Sequence, residues 1–147
     1  MATTVLPYLT VKGAASAIDF YKKAFGATEV MRLSDPDGRL GHAEIAIGGA
    51  TVMLADEYPE YGILSPPSVG GASSGIVVYV DDVDALAQQA IAAGIKVVRA
   101  VEDQFYGDRS GKFEDPFGHV WHLATRKTEM SGEEMQRRYD EMMAAGK

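Results

Sequence analysis

Cysteine is missing from all 147 residues. This removes disulfides, thiol nucleophiles and thiolate metal sites from consideration, and it fits a cytoplasmic setting. No apolar run reaches the roughly 18 residues that a membrane helix needs, so no membrane partner is expected. The opening MATTVLPYLTV lacks the basic flank and apolar stretch of a secretory signal. Basic charge is scarce, with 14 Lys and Arg against 21 Asp and Glu. A net charge of −7 without a basic stripe argues against nucleic acid, whose phosphates require one. Also absent are GxGxxG, GKS or GKT, and HExxH. These absences leave nucleotide loops and zincin helices without support. Gly71-Ala72-Ser73-Ser74-Gly75 spells GxSxG, but it lies in a Pro-, Gly- and Ser-rich stretch ahead of an expected strand, whereas a nucleophile elbow turns from a strand into a helix.

What is there is a repeated pattern. Thr4–Val11 is expected as a strand and Ala14–Phe25 as a helix, its Ala17, Ile18, Tyr21, Ala24 and Phe25 recurring at spacings of three and four. Gly26 suits a left-handed helix end. Strands over Ala27–Leu33, Leu40–Ile47 and Thr51–Ala55 follow, the last two joined at Gly48-Gly49. Residues 57–74, rich in Pro, Gly and Ser, suggest a linker. The order then recurs: strand Gly75–Val80, helix Val83–Ala93 closed by Gly94, strands Ile95–Ala100, Arg109–Glu114 and His119–Thr125. Val11 and Val80, Gly13 and Asp82, Ala17 and Leu86, and Gly49 and Gly118 all lie 69 apart. The reading is one α+β domain of two β-α-β-β-β modules, residues 4–56 and 75–125, enclosing a cup-shaped cavity. A C-terminal helix over 131–145 carries an apolar stripe of Met135, Tyr139 and Met142 or Met143, for its own domain or for a partner chain.

The chemistry-bearing candidates come from alternation along the strands. His122 shares a face with Val120 and Ala124, opposite Trp121 and Leu123. It suits ligand contact, acid–base work, or a structural bond to backbone. His42 and Glu44 share a face two residues apart, with Tyr8 on a strand that brings a phenol nearby. That pair fits metal ligation, a base with its orienter, or a plain ion pair. Arg109 leaves the Tyr106-Gly107-Asp108 loop beside the expected cleft, where an arginine clamps a carboxylate or phosphate; pairing with Asp108, Asp103 or Asp115 is the competing reading. Tyr106 is a candidate for the cavity rim. His119 is expected to bond in its turn, and Trp121 to pack between sheet and helix. Asp56 and Glu57 are expected to begin the long loop.

Four stretches, PYLTVKGAASAIDFYKKAFGA (Pro7–Ala27), HAEIAIGGATVMLADE (His42–Glu57), the strand running into VDDVDAL up to Leu86, and YGDRSGKFEDPFGHVWHLAT (Tyr106–Thr125), resemble the vicinal oxygen chelate superfamily and, within it, its PhnB-like branch. The superfamily includes glyoxalase I, extradiol dioxygenases, and bleomycin- and fosfomycin-resistance proteins. The resemblance implies paired modules, a His122 that looks into the cavity, and often a homodimer. It also implies a divalent metal held by one side chain from each of four strands. Carried onto this chain, those positions hold Leu6, Met53, Gly75 and His122. Three of the four are poor ligands for a hard metal.

The favoured expectation is therefore a glyoxalase/bleomycin-resistance-like protein that binds a small organic molecule without the usual metal. Tyr8, His42, Glu44, Met53, Tyr106, Arg109 and His122 are its candidate ligand contacts, and His122 with Arg109 its candidate catalytic pair. No cofactor is expected. The alternative is a metal-dependent lyase, isomerase or dioxygenase using His122, His42 and Glu44. Whether the protein is an enzyme stays open at this point.

Overall fold

A computed structural model describes residues 1–146. The first module comprises β1 (Tyr8–Val11), α1 (Ala14–Phe25), β2 (Thr28–Ser34), β3 (Leu40–Ile47) and β4 (Ala50–Asp56). A short connection carries a turn of 3₁₀ helix at Pro59–Tyr61 and α2 (Pro66–Val69). The second module repeats the order with β5 (Gly75–Tyr79), α3 (Val83–Ala93), β6 (Lys96–Asp103), β7 (Asp108–Glu114) and β8 (Val120–Arg126), followed by α4 (Gly132–Ala144). Each module forms its own four-stranded mixed sheet, ordered β1-β4-β3-β2 and β5-β8-β7-β6. The chain is thus α+β, with two sheets, their helices and a C-terminal helix.

The internal offset holds in three dimensions. Tyr8 pairs with Met53 in the parallel β1–β4 ladder, and Val77 with His122 in β5–β8, each 69 residues further on. The helix starts obey the same shift. The Asp56 carboxylate accepts the N–H groups of Gly13 and Ala14 at 2.8 and 2.9 Å. Sixty-nine residues on, the Thr125 hydroxyl accepts the N–H of Val83 at 2.9 Å. In both modules the end of the last strand caps the helix, satisfying donors that the first turn leaves free. Asp56 is therefore a buried structural anchor rather than the start of a loop, and it also accepts the Leu40 N–H at 2.7 Å.

Helix α1 buries Ala17, Ile18, Tyr21, Ala24 and Phe25 and ends at Gly26, whose φ of 67° is the left-handed conformation. A continuous core joins the modules: Tyr21 and Phe25 of α1 meet Trp121 of β8 at ring distances of 5.4 and 4.6 Å. Trp121 is fully buried there.

Two expected boundaries move by three residues or more, and the expected linker changes character. β1 begins at Tyr8 instead of Thr4, because Pro7 has no N–H to give to a ladder; its carbonyl still accepts from Met53 N. β6 runs on to Asp103 through two irregularities, shrinking the expected loop to residues 104–107. The expected linker is folded. Glu57 is buried, and one of its oxygens accepts the Ser65 N–H, the Ser65 hydroxyl and the Ser68 hydroxyl at 2.7–2.9 Å. Those three donors, the backbone one first, hold its carboxyl down at about 2.

Candidate functional site

Strand alternation gives each sheet a side packed on helices and an open side. On the first sheet, Val52, Leu54, Ala43 and Ile45 are buried toward α1. The intervening residues form the open side, where one cross-strand row reads Met31, Glu44, Met53, Tyr8. On the second sheet, Phe113, Trp121 and Leu123 take the helix side. The matching open row reads Arg99, Lys112, His122, Val77.

The first row carries a hydrogen-bonded chain. The Tyr8 hydroxyl lies 2.7 Å from His42 Nδ1, and His42 Nε2 lies 2.9 Å from Glu44 Oε2. An imidazole held between a phenol and a carboxylate has the make-up that a base with an orienter and a proton source requires, and equally that of a structural polar chain. Tyr8, His42, Glu44 and Met53 are thus brought together. His122 is not with them. It sits on the other sheet, and burial, then Lys112, then Arg99 push its pKa below the usual value.

Arg109 is misplaced by the sequence reading. It shares the parity of Phe113 along β7 and so turns to the helix side, where it bonds Asp84 of α3 at 2.8 and 3.0 Å and Asp103 at 3.3 Å. A residue facing away from the open side cannot clamp a ligand there, so Arg109 is not a catalytic or ligand-contact residue of that face. Arg99 does stand on the open side; the expected strand Ile95–Ala100 contains it, but the irregularity between Val97 and Arg99 breaks the alternation that would have shown its face. Tyr106 belongs to neither row. Its hydroxyl is 3.4 Å from Ser110 Oγ, and it lines a separate hollow with Tyr79, Asp108, Arg126 and Met135. His119 bonds from its turn as expected, donating Nε2–H to the Thr10 carbonyl at 2.8 Å across the module boundary. Between β1 and β5 lies a cleft of about 750 Å³, lined by Leu6, Tyr8, Thr10, Gly75, Val77 and part of the connection.

A family model described as the glyoxalase/bleomycin resistance protein/dioxygenase superfamily matches residues 3–123. The chain belongs to this superfamily. Uncharacterized protein Mb0911c of Mycobacterium bovis is 49% identical over 133 residues, 88% of each chain. Among solved structures, TioX from Micromonospora sp. ML1 aligns at a TM-score of 0.67 with 24% identity, over 85% of this chain and 99% of that one. The PhnB protein of Bacillus cereus aligns at 0.65 with 17% identity, over 84% and 99%. These two likenesses establish the glyoxalase fold.

The superfamily's usual metal does not suit the residues present. Leu6 precedes β1 and has no donor atom, and Met53 offers only a soft thioether. At Gly75 a Cβ would stand 2.8 Å from His122 Nε2, so the imidazole already occupies the room a second ligand would need. Among the described residues, no three His, Asp or Glu side chains are grouped so as to hold an ion. The set His42, Glu44 and His122 is therefore not assembled within one chain.

Proposed function

We propose that the protein binds a small organic molecule on the open sides of its sheets without the usual superfamily metal. The observation that carries this reading is the four chelate positions, which hold Leu6, Met53, Gly75 and a single imidazole, His122. Around them the open faces keep groups suited to orienting a ligand: the Tyr8–His42–Glu44 chain on one sheet and His122 on the other. Such surfaces combine apolar area with a few placed polar groups, the usual make-up of a ligand site. Tyr8, Leu33, Val77 and Tyr79 are all about half exposed. A second copy covering these faces would complete the site, and we propose a homodimer as the working state.

Metal analysis of protein purified without chelator tests the reading. The expected result is a substoichiometric metal content that His122→Ala leaves unchanged. A stoichiometric ion lost in both His122→Ala and His42→Ala would overturn it in favour of a metal-dependent lyase, isomerase or dioxygenase. Sedimentation velocity tests the dimer, and a monomer at micromolar concentration would refute it.

A further inference from the structure

The second sheet places two permanent cations side by side in the row that holds His122. Arg99 of β6 stands directly opposite Lys112 of β7, and Lys112 directly opposite His122 of β8. Like charges directly across a ladder are unfavourable. The fold does not require them. The matching row of the first sheet is Met31, Glu44, Met53, Tyr8, with an acid at the position of Lys112. The chain also has acids to spare, 21 against 14 bases. It uses them elsewhere: Arg32, Arg39, Arg109, Arg126, Arg137 and Arg138 each have a carboxylate within 3.5 Å. Arg99 has only Glu102, at 3.8 Å and mostly exposed. Its guanidinium otherwise donates to the Ser110 carbonyl at 3.1 Å and to Ser110 Oγ at 3.5 Å, which fixes its direction without neutralising it. Lys112 has no ion-pair partner among the described residues. The other acids of this face lie on adjoining rows: Glu114 beside Val120, and Asp108, which accepts from the Tyr79 hydroxyl at 2.6 Å and pairs with Arg126.

We infer that Arg99, Lys112 and His122 form an anion subsite that takes the carboxylate or phosphate group of a small organic acid. This rests on the ligand-binding reading above and gives its ligand a chemical class. Lys112 supplies a point charge, Arg99 the guanidinium N–H groups that Ser110 does not take, and His122 a ring N–H. Burial, then Lys112, then Arg99 push the His122 pKa below its usual value, and the neutral ring still carries one N–H to donate. Val77 ends the same row, and Gly75 and Val120 lie in the next, giving an apolar bed for the rest of the molecule.

Calorimetric titration with four probes of similar size tests this: benzoate, phenyl phosphate, benzamide and benzylamine. The expected result is that one or both anions bind at least about tenfold more tightly than benzamide, and that benzylamine binds least. Lys112→Met should weaken the anions by about tenfold, and so should Arg99→Met if its fold is confirmed by circular dichroism. Neither should affect benzamide. Arg109→Ala, on the opposite face, should leave all four unchanged. Preference between benzoate and phenyl phosphate separates a carboxylate ligand from a phosphate one. Equal or tighter binding of benzamide or benzylamine, or anion binding indifferent to both substitutions, overturns the anion subsite and leaves the binding reading standing. No binding of any probe at millimolar concentration overturns the subsite and counts against the binding reading too.

Discussion

Asp115 holds the DPFGHVW segment together, and its removal is the most exacting test of how the two modules are joined. Its side chain is 3% exposed and meets four donors. Oδ1 accepts the backbone N–H of Phe117 at 2.9 Å and of His119 at 3.0 Å, fixing the β7–β8 turn. Oδ2 accepts the Tyr21 hydroxyl at 2.6 Å and the Trp121 indole N–H at 2.8 Å, tying that turn to α1 of the other module. Asp115→Asn keeps the volume but leaves one acceptor oxygen. With that oxygen on the turn, the amide NH2 faces the indole N–H, donor against donor, while the Tyr21 hydroxyl can rotate to accept. One buried donor is stranded at a cost of about 1–3 kcal/mol, and the remaining bonds lose their charge, so the loss should be about 3 kcal/mol. At roughly 2–4 °C per kcal/mol for a chain of this size, Tm should fall by about 6–12 °C. Asp115→Ala, which strands all the donors, should cost about 5 kcal/mol. Tyr21→Phe alone should cost about 1 kcal/mol, and combined with Asp115→Asn the losses should be less than additive. Thermal melts followed by the emission of Trp121, the sole tryptophan, read the site directly. An Asp115→Asn variant melting within about 2 °C of the parent would refute the reasoning.

Two further outcomes follow from the same geometry. Glu57 has its carboxyl lowered from 4.5 to about 2, so it stabilises the fold above the ordinary carboxylate range, and that contribution is lost as pH falls toward 2. Glu57→Gln should therefore flatten the acid limb of a Tm-against-pH curve, and an unchanged limb would show that the serine contacts do not form in solution. Gly107→Ala should be among the worst small substitutions in the chain. Gly107 has a φ of 95°, and an added Cβ would come 2.3 Å from the Thr128 carbonyl oxygen. Its backbone carbonyl also accepts from Lys127 N and Thr128 N, so the segment leading into α4 should detach, read as faster amide exchange at those two residues. Unchanged exchange would contradict this.

The sequence by itself determined the elements of the two modules and the correspondence between them. Both helices of the repeat begin and end where period and glycine placed them, because a helix end needs a left-handed residue and an apolar stripe needs a spacing of three and four. The offset of 69 tied the two ladders together: with Tyr8 paired to Met53, Val77 pairs with His122, since tandem copies of one module repeat one ladder. Alternation put His122 and Trp121 on opposite faces. Parity also held a signal that went unused: Arg109 and Phe113 lie an even number apart on β7, and an apolar Phe marks the helix side, leaving Lys112 on the open one. Only the tertiary structure decided the rest. Asp115 and Tyr21 are 94 residues apart, and no local rule joins them. The irregularities in β6 that bring Arg99 opposite Lys112 depend on how a bulged strand settles against its neighbour. Charges were visible along the chain; their meeting in one row, unneutralised, is a property of the folded sheet.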